Sequence, residues 1–470
     1  MVLRHVKPDR GLAIRCRRGA ESAFHFLTPL VRPLNTAALS AMKGGGKYGK
    51  WVKRVPPLPR WLSGYRPADP WPRVGWKPPE GLAGPGKAQL DDAPDPDGLD
   101  ERFAAEGIRR DRDVERAAFS VRPLHDYNLT HYEALSWLFD RLWTIFPPFL
   151  PRMARAYDRM LRVTARAPRE TKRVTDAAEV TKLVRDEAAR LGLSAVGFAA
   201  YDRKYQYEEY AHLTERLDGA TVIVCIMEQE WEPTQTGPSG RAERAAFRAY
   251  SELLTRIGPL AEFIQDLGYT ARPHDFAVEG THIQYGVAAG LGQLGLNGQL
   301  LTPLAGSRCR LGTITTDAPL VHDKPVDYGV EKVCDSCQVC VRRCPSGAIP
   351  IKRKMHRGIV KNKIKTERCL PVVAQAHGCG VCMVTCPVQR YGLKAVQEHL
   401  SETGEVLGKG SQELEGYPWP LDGNFYGPGE KPPMNHELIS PPGFYMDPGR
   451  TEPPTEKGGR QDPLDNITFG

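Results

Sequence analysis

The sequence predicts an α+β fold in which an α/β layer domain precedes a small module tied together by cysteines. Three observations carry this. Short β-branched runs and helix-period segments mix, without regular alternation, between residues 175 and 320. Eight cysteines crowd into residues 334–386. Stretches rich in Pro and Gly flank both regions. With 470 residues, 41% of them hydrophobic, the chain can hold two or three domains and a sizeable core.

Residues 1–118 are rich in Pro, Gly and charge, as in Pro56-Pro57-Leu58-Pro59. They read as a loop-rich segment that wraps another part or stays partly disordered. The layer domain is placed at 119–327. Tyr132 to Arg166 reads as helices interrupted at Pro147-Pro148 and Pro151. Ala177 to Leu191 is helical, with Val180, Leu183, Val184, Ala188 and Leu191 on one face. Ala195 to Ala200 and Ala220 to Met227 read as buried strands. Arg241 to Leu267 reads as a helix broken at Pro259 and closed by Gly268. Gly280 to Ala289 follows as helix and Arg310 to Thr315 as strand. The cysteine module is placed at 328–395. Residues 396–470, Pro/Gly-rich again, read as a tail with little regular structure.

The net charge of +8 is a mild basic excess, partly gathered near the N-terminus at Arg15, Arg17 and Arg18. No basic stripe interleaves with aromatics, so no nucleic-acid partner is expected. No apolar window reaches the roughly 18 residues a membrane helix needs, and no apolar region follows the N-terminal basic residues. The reading is therefore cytoplasmic, where 11 cysteines argue for metal ligation over disulfides.

The first cysteine run is Cys334-x2-Cys337-x2-Cys340-x3-Cys344-Pro345. The second is Cys379-x2-Cys382-x3-Cys386-Pro387, with Cys369 ten residues upstream of Cys379. This is bacterial-ferredoxin spacing, in which the fourth cysteine of each run binds the other cluster. It implies two [4Fe–4S] clusters, one held by Cys334, Cys337, Cys340 and Cys386. The other takes Cys369, Cys379, Cys382 and Cys344. Cys369 replaces a ligand that ferredoxins carry where this chain has Ala376. Zinc also binds CxxC pairs, but zinc sites need no interleaved fourth cysteine followed by proline in both runs. Cys16, Cys225 and Cys309 read as buried or inert.

Gly290-Leu291-Gly292-Gln293-Leu294-Gly295 fits the dinucleotide fingerprint literally. Its context does not fit, because a helix precedes the glycines where a strand should. A turn that lets backbone approach another flat or phosphate-bearing cofactor is the better reading.

The stretch Ala288 to Gly298, then Leu301-Thr302-Pro303, Gly306-Ser307-Arg308 and Thr315 to Leu320, resembles the corrinoid-binding core of reductive dehalogenases. The cysteine module follows at that family's distance. Epoxyqueuosine reductase of tRNA modification is similar in its glycine turn and double cluster and gives the runner-up reading; a non-catalytic iron–sulfur electron carrier is the third. The resemblance implies a nitroreductase-like cobalamin domain fused to a ferredoxin-like module. Gly290, Gly292, Gly295, Asn297, Thr302 and Arg310 would then line the cobalamin. The corrinoid would be base-off, since none of the 12 histidines sits in Asp-x-His-x-x-Gly.

The resemblance also implies a catalytic set. Tyr250 stands where the family places its proton donor. A phenol titrates near about pH 10, so a cation beside it is needed to steady the phenolate. Arg308 is preferred for that place over Arg310, two residues on. Asp275 falls at a third polar position, near where epoxyqueuosine reductases keep an acid. The expected function is removal of halide from a small organohalide, using electrons from an external ferredoxin, flavodoxin or reductase. A homodimer stays open.

Overall fold

The computed structural model describes residues 79–82, 146–169, 173–205, 220–274, 282–356, 359–365, 368–369, 372–373 and 376–434. Most of the loop-rich N-terminal segment, Cys16, the stretch 119–145, Asp275 and the chain after 434 lie outside them.

Helix α1 (Phe146–Ala165) and α2 (Ala177–Arg190) lead into strand β1 (Ala195–Ala200). Asp176 caps α2 by accepting the Glu179 amide at 2.7 Å, which satisfies one of the donors a helix start leaves open. Strand β2 (Thr221–Glu228) is followed by a single turn, α3 (Trp231–Thr234), and the long α4 (Gly240–Asp266). Strand β3 (Ala271–His274), α5 (His282–Ala288), the hairpin β4 (Gln293–Leu294) and β5 (Leu300–Leu301), and β6 (Cys309–Thr316) complete the layer domain.

The sheet runs β1-β2-β6-β3 and every neighbouring pair is antiparallel. Both faces are covered, which explains why β2 is an unbroken apolar run. Ile223, Cys225 and Met227 point into one core with α1, α2 and α4. Val222, Val224 and Ile226 point into a second core with α5 and the β4–β5 hairpin. Each such fully buried aliphatic side chain contributes roughly 1.5–3 kcal/mol.

Proline does not interrupt the helices as expected. Pro147 and Pro148 fall in the first turn of α1, where amides have no intrahelical partner to lose. Pro151 lies inside α1 and Pro259 inside α4, and both helices continue through them. The α1–α4 contact outweighs the missing hydrogen bonds. Met153, Met160, Ile257, Leu260 and Ile264 are buried along it. At its centre the buried Glu252 bridges Arg152 and Arg256, each at 2.5 Å.

The cysteine module contains α6 (Val330–Cys337), α7 (Val339–Arg343), a hairpin of β7 (Lys354–His356) and β8 (Ile359–Lys361), α8 (Val381–Val384) and α9 (Pro387–Tyr391). The expected featureless tail is corrected as far as residue 434. Helix α10 (Leu393–Thr403) runs across the boundary placed at 395, and its Val396, Gln397 and Leu400 are buried. After it come α11 (Gln412–Glu415) and the short pair β9 (Tyr417–Pro418) and β10 (Phe425–Tyr426). Arg343 holds this segment down. Buried at 1% exposure, it donates to the carbonyls of Glu415, Tyr426 and Glu430 and lies 4.7 Å over the Tyr417 ring. No helix among the described residues is long and apolar enough to cross a membrane.

Candidate functional site

The eight module cysteines fall into two groups. Cys334, Cys337, Cys340 and Cys386 interact mutually, and the first, second and fourth of them share one cavity wall with Cys340, Leu296, Asn297 and Val388. Cys382 interacts with Cys379, Cys369 and Cys344 and also with Cys386, and Cys340 likewise interacts with Cys382, so the two groups adjoin. Cys369 lies beside the second group, and Ala376 is buried in an apolar cluster against which Cys379 packs. The local backbone repeats as well. Gln338, between Cys337 and Cys340, has φ 54°, and Gly380, between Cys379 and Cys382, has φ 75°. This left-handed turn brings the next amide back onto the sulfur. Cys337 accepts the Val339 amide, Cys379 those of Gly380 and Val381, and Cys386 those of Val388 and Gln389. Burial pushes the Cys379 and Cys386 thiols up to about 12. Metal binding must therefore drive the deprotonation that ligation needs.

The glycine stretch packs closely against the rest of the chain. A side chain at Gly292 would strike the Leu301 carbonyl, at Gly290 the Lys324 carbonyl, and at Gly295 Asn297 and Leu301. The space beside each glycine is filled by the chain itself, which lets the β4–β5 hairpin fold back tightly. What the stretch does is brace the cysteine module. The Leu296 amide reaches the Cys334 sulfur, and Asn297 donates to the Cys382 carbonyl at 3.3 Å. Gln293, 1% exposed, accepts the Tyr328 and Val330 amides at the start of α6. Thr302 is fully buried and closes its own turn through the Gly306 carbonyl at 3.1 Å.

Tyr250 and Arg310 meet: the guanidinium lies 5.1 Å over the phenol ring. Arg308, the preferred neighbour, does not face it. Its guanidinium is buried against Glu228 at 2.5 Å and the Gln229 carbonyl at 2.7 Å. The reason is register. Arg310 pairs with Met227 inside the sheet, whereas Arg308 precedes β6 and turns toward the end of β2. Sequence reasoning missed Gln229. It is 1% exposed, and its side-chain carbonyl accepts Arg310 at 2.5 Å while its amide donates to Thr234 at 2.7 Å. Its main-chain carbonyl takes Arg308, so one residue separates the two arginines and aims Arg310. A polar residue closing the otherwise apolar β2 run was the only available signal.

The two regions touch at a seam. Gly306 has φ 53°, and a side chain there would collide with the Gln389 backbone on α9, three residues beyond Cys386. Trp231 donates to the Arg390 carbonyl at 3.0 Å, and the Leu393 amide to the Pro303 carbonyl at 2.9 Å. The first cysteine group is thus joined through α9 and Gly306 to the strand that carries Arg310. At this seam Ser307 Oγ and Gln389 Nε2 are buried without a hydrogen-bond partner, which fits a bound group with polar edges.

Residues 333–398 match the family model of the 4Fe-4S dicluster domain. The tetrachloroethene reductive dehalogenase of Sulfurospirillum multivorans is 30% identical over 255 residues, 45% of this chain and 51% of that protein. The chain is a relative of the reductive dehalogenases. The epoxyqueuosine reductase of Escherichia coli strain K12 is 32% identical over 165 residues, 33% of this chain and 42% of that protein. A solved reductive dehalogenase, described in connection with B12-dependent dehalogenation, superposes with a TM-score of 0.51 at 21% identity, over 71% of this chain and 53% of that one. This likeness shows a shared fold. The chain spans about half the length of the S. multivorans relative.

Proposed function

We propose that this chain is the core of a corrinoid-dependent reductive dehalogenase, in which two [4Fe–4S] clusters feed electrons to a site beside Tyr250 and Arg310. The observation that carries the reading is the Tyr250–Arg310 contact, at 5.1 Å, on the strand joined by Gly306 to α9 and its Cys386. Cys334, Cys337, Cys340 and Cys386 would hold the cluster nearer the site, and Cys344, Cys369, Cys379 and Cys382 the other. Ser307 and Gln389 would offer polar contacts to a base-off cobalamin, which when bound would supply low-valent cobalt for carbon–halogen cleavage.

The net change on an organohalide takes two electrons and one proton and releases halide. Tyr250 is the proton donor. Arg310 stands over its ring, where a cation steadies the phenolate left behind. Gln229 keeps Arg310 there. Arg308, paired to Glu228, fixes the end of β2 and holds no proton role.

Turnover of Tyr250→Phe on a panel of organohalides tests this. The variant is expected to keep its iron and cobalt and to lose about 10²–10⁴-fold in rate, the usual worth of a general acid. An unchanged rate removes Tyr250. The epoxyqueuosine reductase relatives supply a second reading, which turnover on epoxyqueuosine-modified tRNA, absent on organohalides, would establish.

A further inference from the structure

Between Cys344 and Cys369 the chain carries eight Lys or Arg side chains against a single acid, Glu367. The segment forms the β7–β8 hairpin, whose register sets Lys354 opposite Lys361. Its base is fixed to the module. Arg353 bridges Asp335 at 2.6 Å and Glu331 at 3.4 Å on α6, beside Cys334. The Lys365 amide donates to the Ala348 carbonyl at 2.9 Å, and Asn362 to the Pro350 carbonyl. Lys352 and Lys365 are exposed, and Ile351, next to Lys352, is 61% exposed.

We propose that this basic hairpin is the docking surface for an acidic one-electron carrier protein, which delivers electrons to the cysteine-held clusters. The proposal rests on the electron-relay reading above and adds where the donor binds and what charge it bears. A basic patch with an exposed aliphatic residue at its edge, rooted beside cluster ligands, suits a protein with a negative rim around its redox group. The segment contains no Phe, Tyr or Trp on which bases could stack, which disfavours RNA as the occupant. In each encounter the carrier is oxidised by one electron and one cluster is reduced by one. Two encounters supply a two-electron turnover.

The test uses the full-length, cluster-loaded protein and reduced flavodoxin of acidic composition, with reduced methyl viologen as a small reductant that needs no docking. Cluster bleaching is followed by stopped flow, and flavodoxin binding by titration with a fluorescent label. The expected result has three parts. Parent reduction by flavodoxin slows as salt rises. In Lys352→Glu combined with Lys365→Glu, the second-order rate and the affinity each fall about tenfold at low salt. Reduction by viologen and iron content stay at parent values, which shows that the module is intact. Equal flavodoxin rates and affinities in parent and variant, or no flavodoxin binding to the parent, would overturn the proposal. So would a variant defect confined to binding a tRNA stem–loop. No organohalide is present, so loss of the dehalogenase reading alone leaves these outcomes unaffected.

Discussion

The cysteine module and the Tyr250 site lie on opposite sides of one seam and are built in opposite ways. In the module, ligands two or three residues apart share a turn, and the turn itself supplies the amides that meet the sulfurs. At the Tyr250 site nothing is local. Tyr250 comes from the middle of α4, Arg310 from β6 and Gln229 from the end of β2, and the antiparallel β2–β6 register brings the last two together. The module's ligand turns are local, although Leu296 and Asn297 of the layer domain brace them; a site assembled across a sheet depends on every strand that frames it.

The largest expected effect is within the module. Cys386→Ser removes a buried ligand whose sulfur takes two backbone amides. On the proposed two-cluster assignment it should cost about half of the iron, because one four-iron centre would lose a ligand. Iron and sulfide analysis of the purified variant checks this. Full iron retention would break the assignment of Cys386 to the first cluster.

Gly306→Ala probes the seam. The residue has a positive φ, and its missing side chain faces the Gln389 backbone. The collision involves main chain on both sides, so neither partner can swing away. A loss of roughly 1–3 kcal/mol is expected, read by chemical denaturation of the holoprotein. A neutral substitution would mean that the module and the sheet are not in close contact at this point.

Gln229→Met is the smallest and most discriminating change. It keeps the volume and removes the acceptor that holds Arg310. The expected outcome is roughly a tenfold lower kcat with KM unchanged, the pattern for a loss felt only in the transition state. Equal loss in Gln229→Met and Tyr250→Phe would mean that Gln229 acts on more than Arg310.

The same contrast explains what could be read from sequence. The turns between cysteines two residues apart are legible in the spacing, because the geometry they need lies within a few residues, whereas the pairing of cysteines across the two runs rests on the ferredoxin pattern. The strand 195–200 and the helix starting at Ala177 follow from their apolar patterns. The choice between Arg308 and Arg310 did not follow. Both lie within two residues, and only the β2–β6 register decides which one turns toward α4. At Gly290 and Gly292 spacing shows that a side chain is missing and not what lies in its place, here the carbonyls of Lys324 and Leu301. Pro151 and Pro259 misled because a helix–helix contact with the buried Glu252 at its centre outweighs local propensity. The order of residues 393–430 depends on Arg343 reaching carbonyls more than 70 positions away, which no local pattern records.

The account depends on electrons passing from the first cysteine group across Gly306 to a metal centre beside Arg310. The most direct measurement is the iron, sulfide and cobalt content of full-length protein matured with ample cobalamin. The account predicts about eight iron atoms and one cobalt per chain, as two four-iron clusters and one corrinoid require. Iron and sulfide in full amount with no cobalt would contradict it.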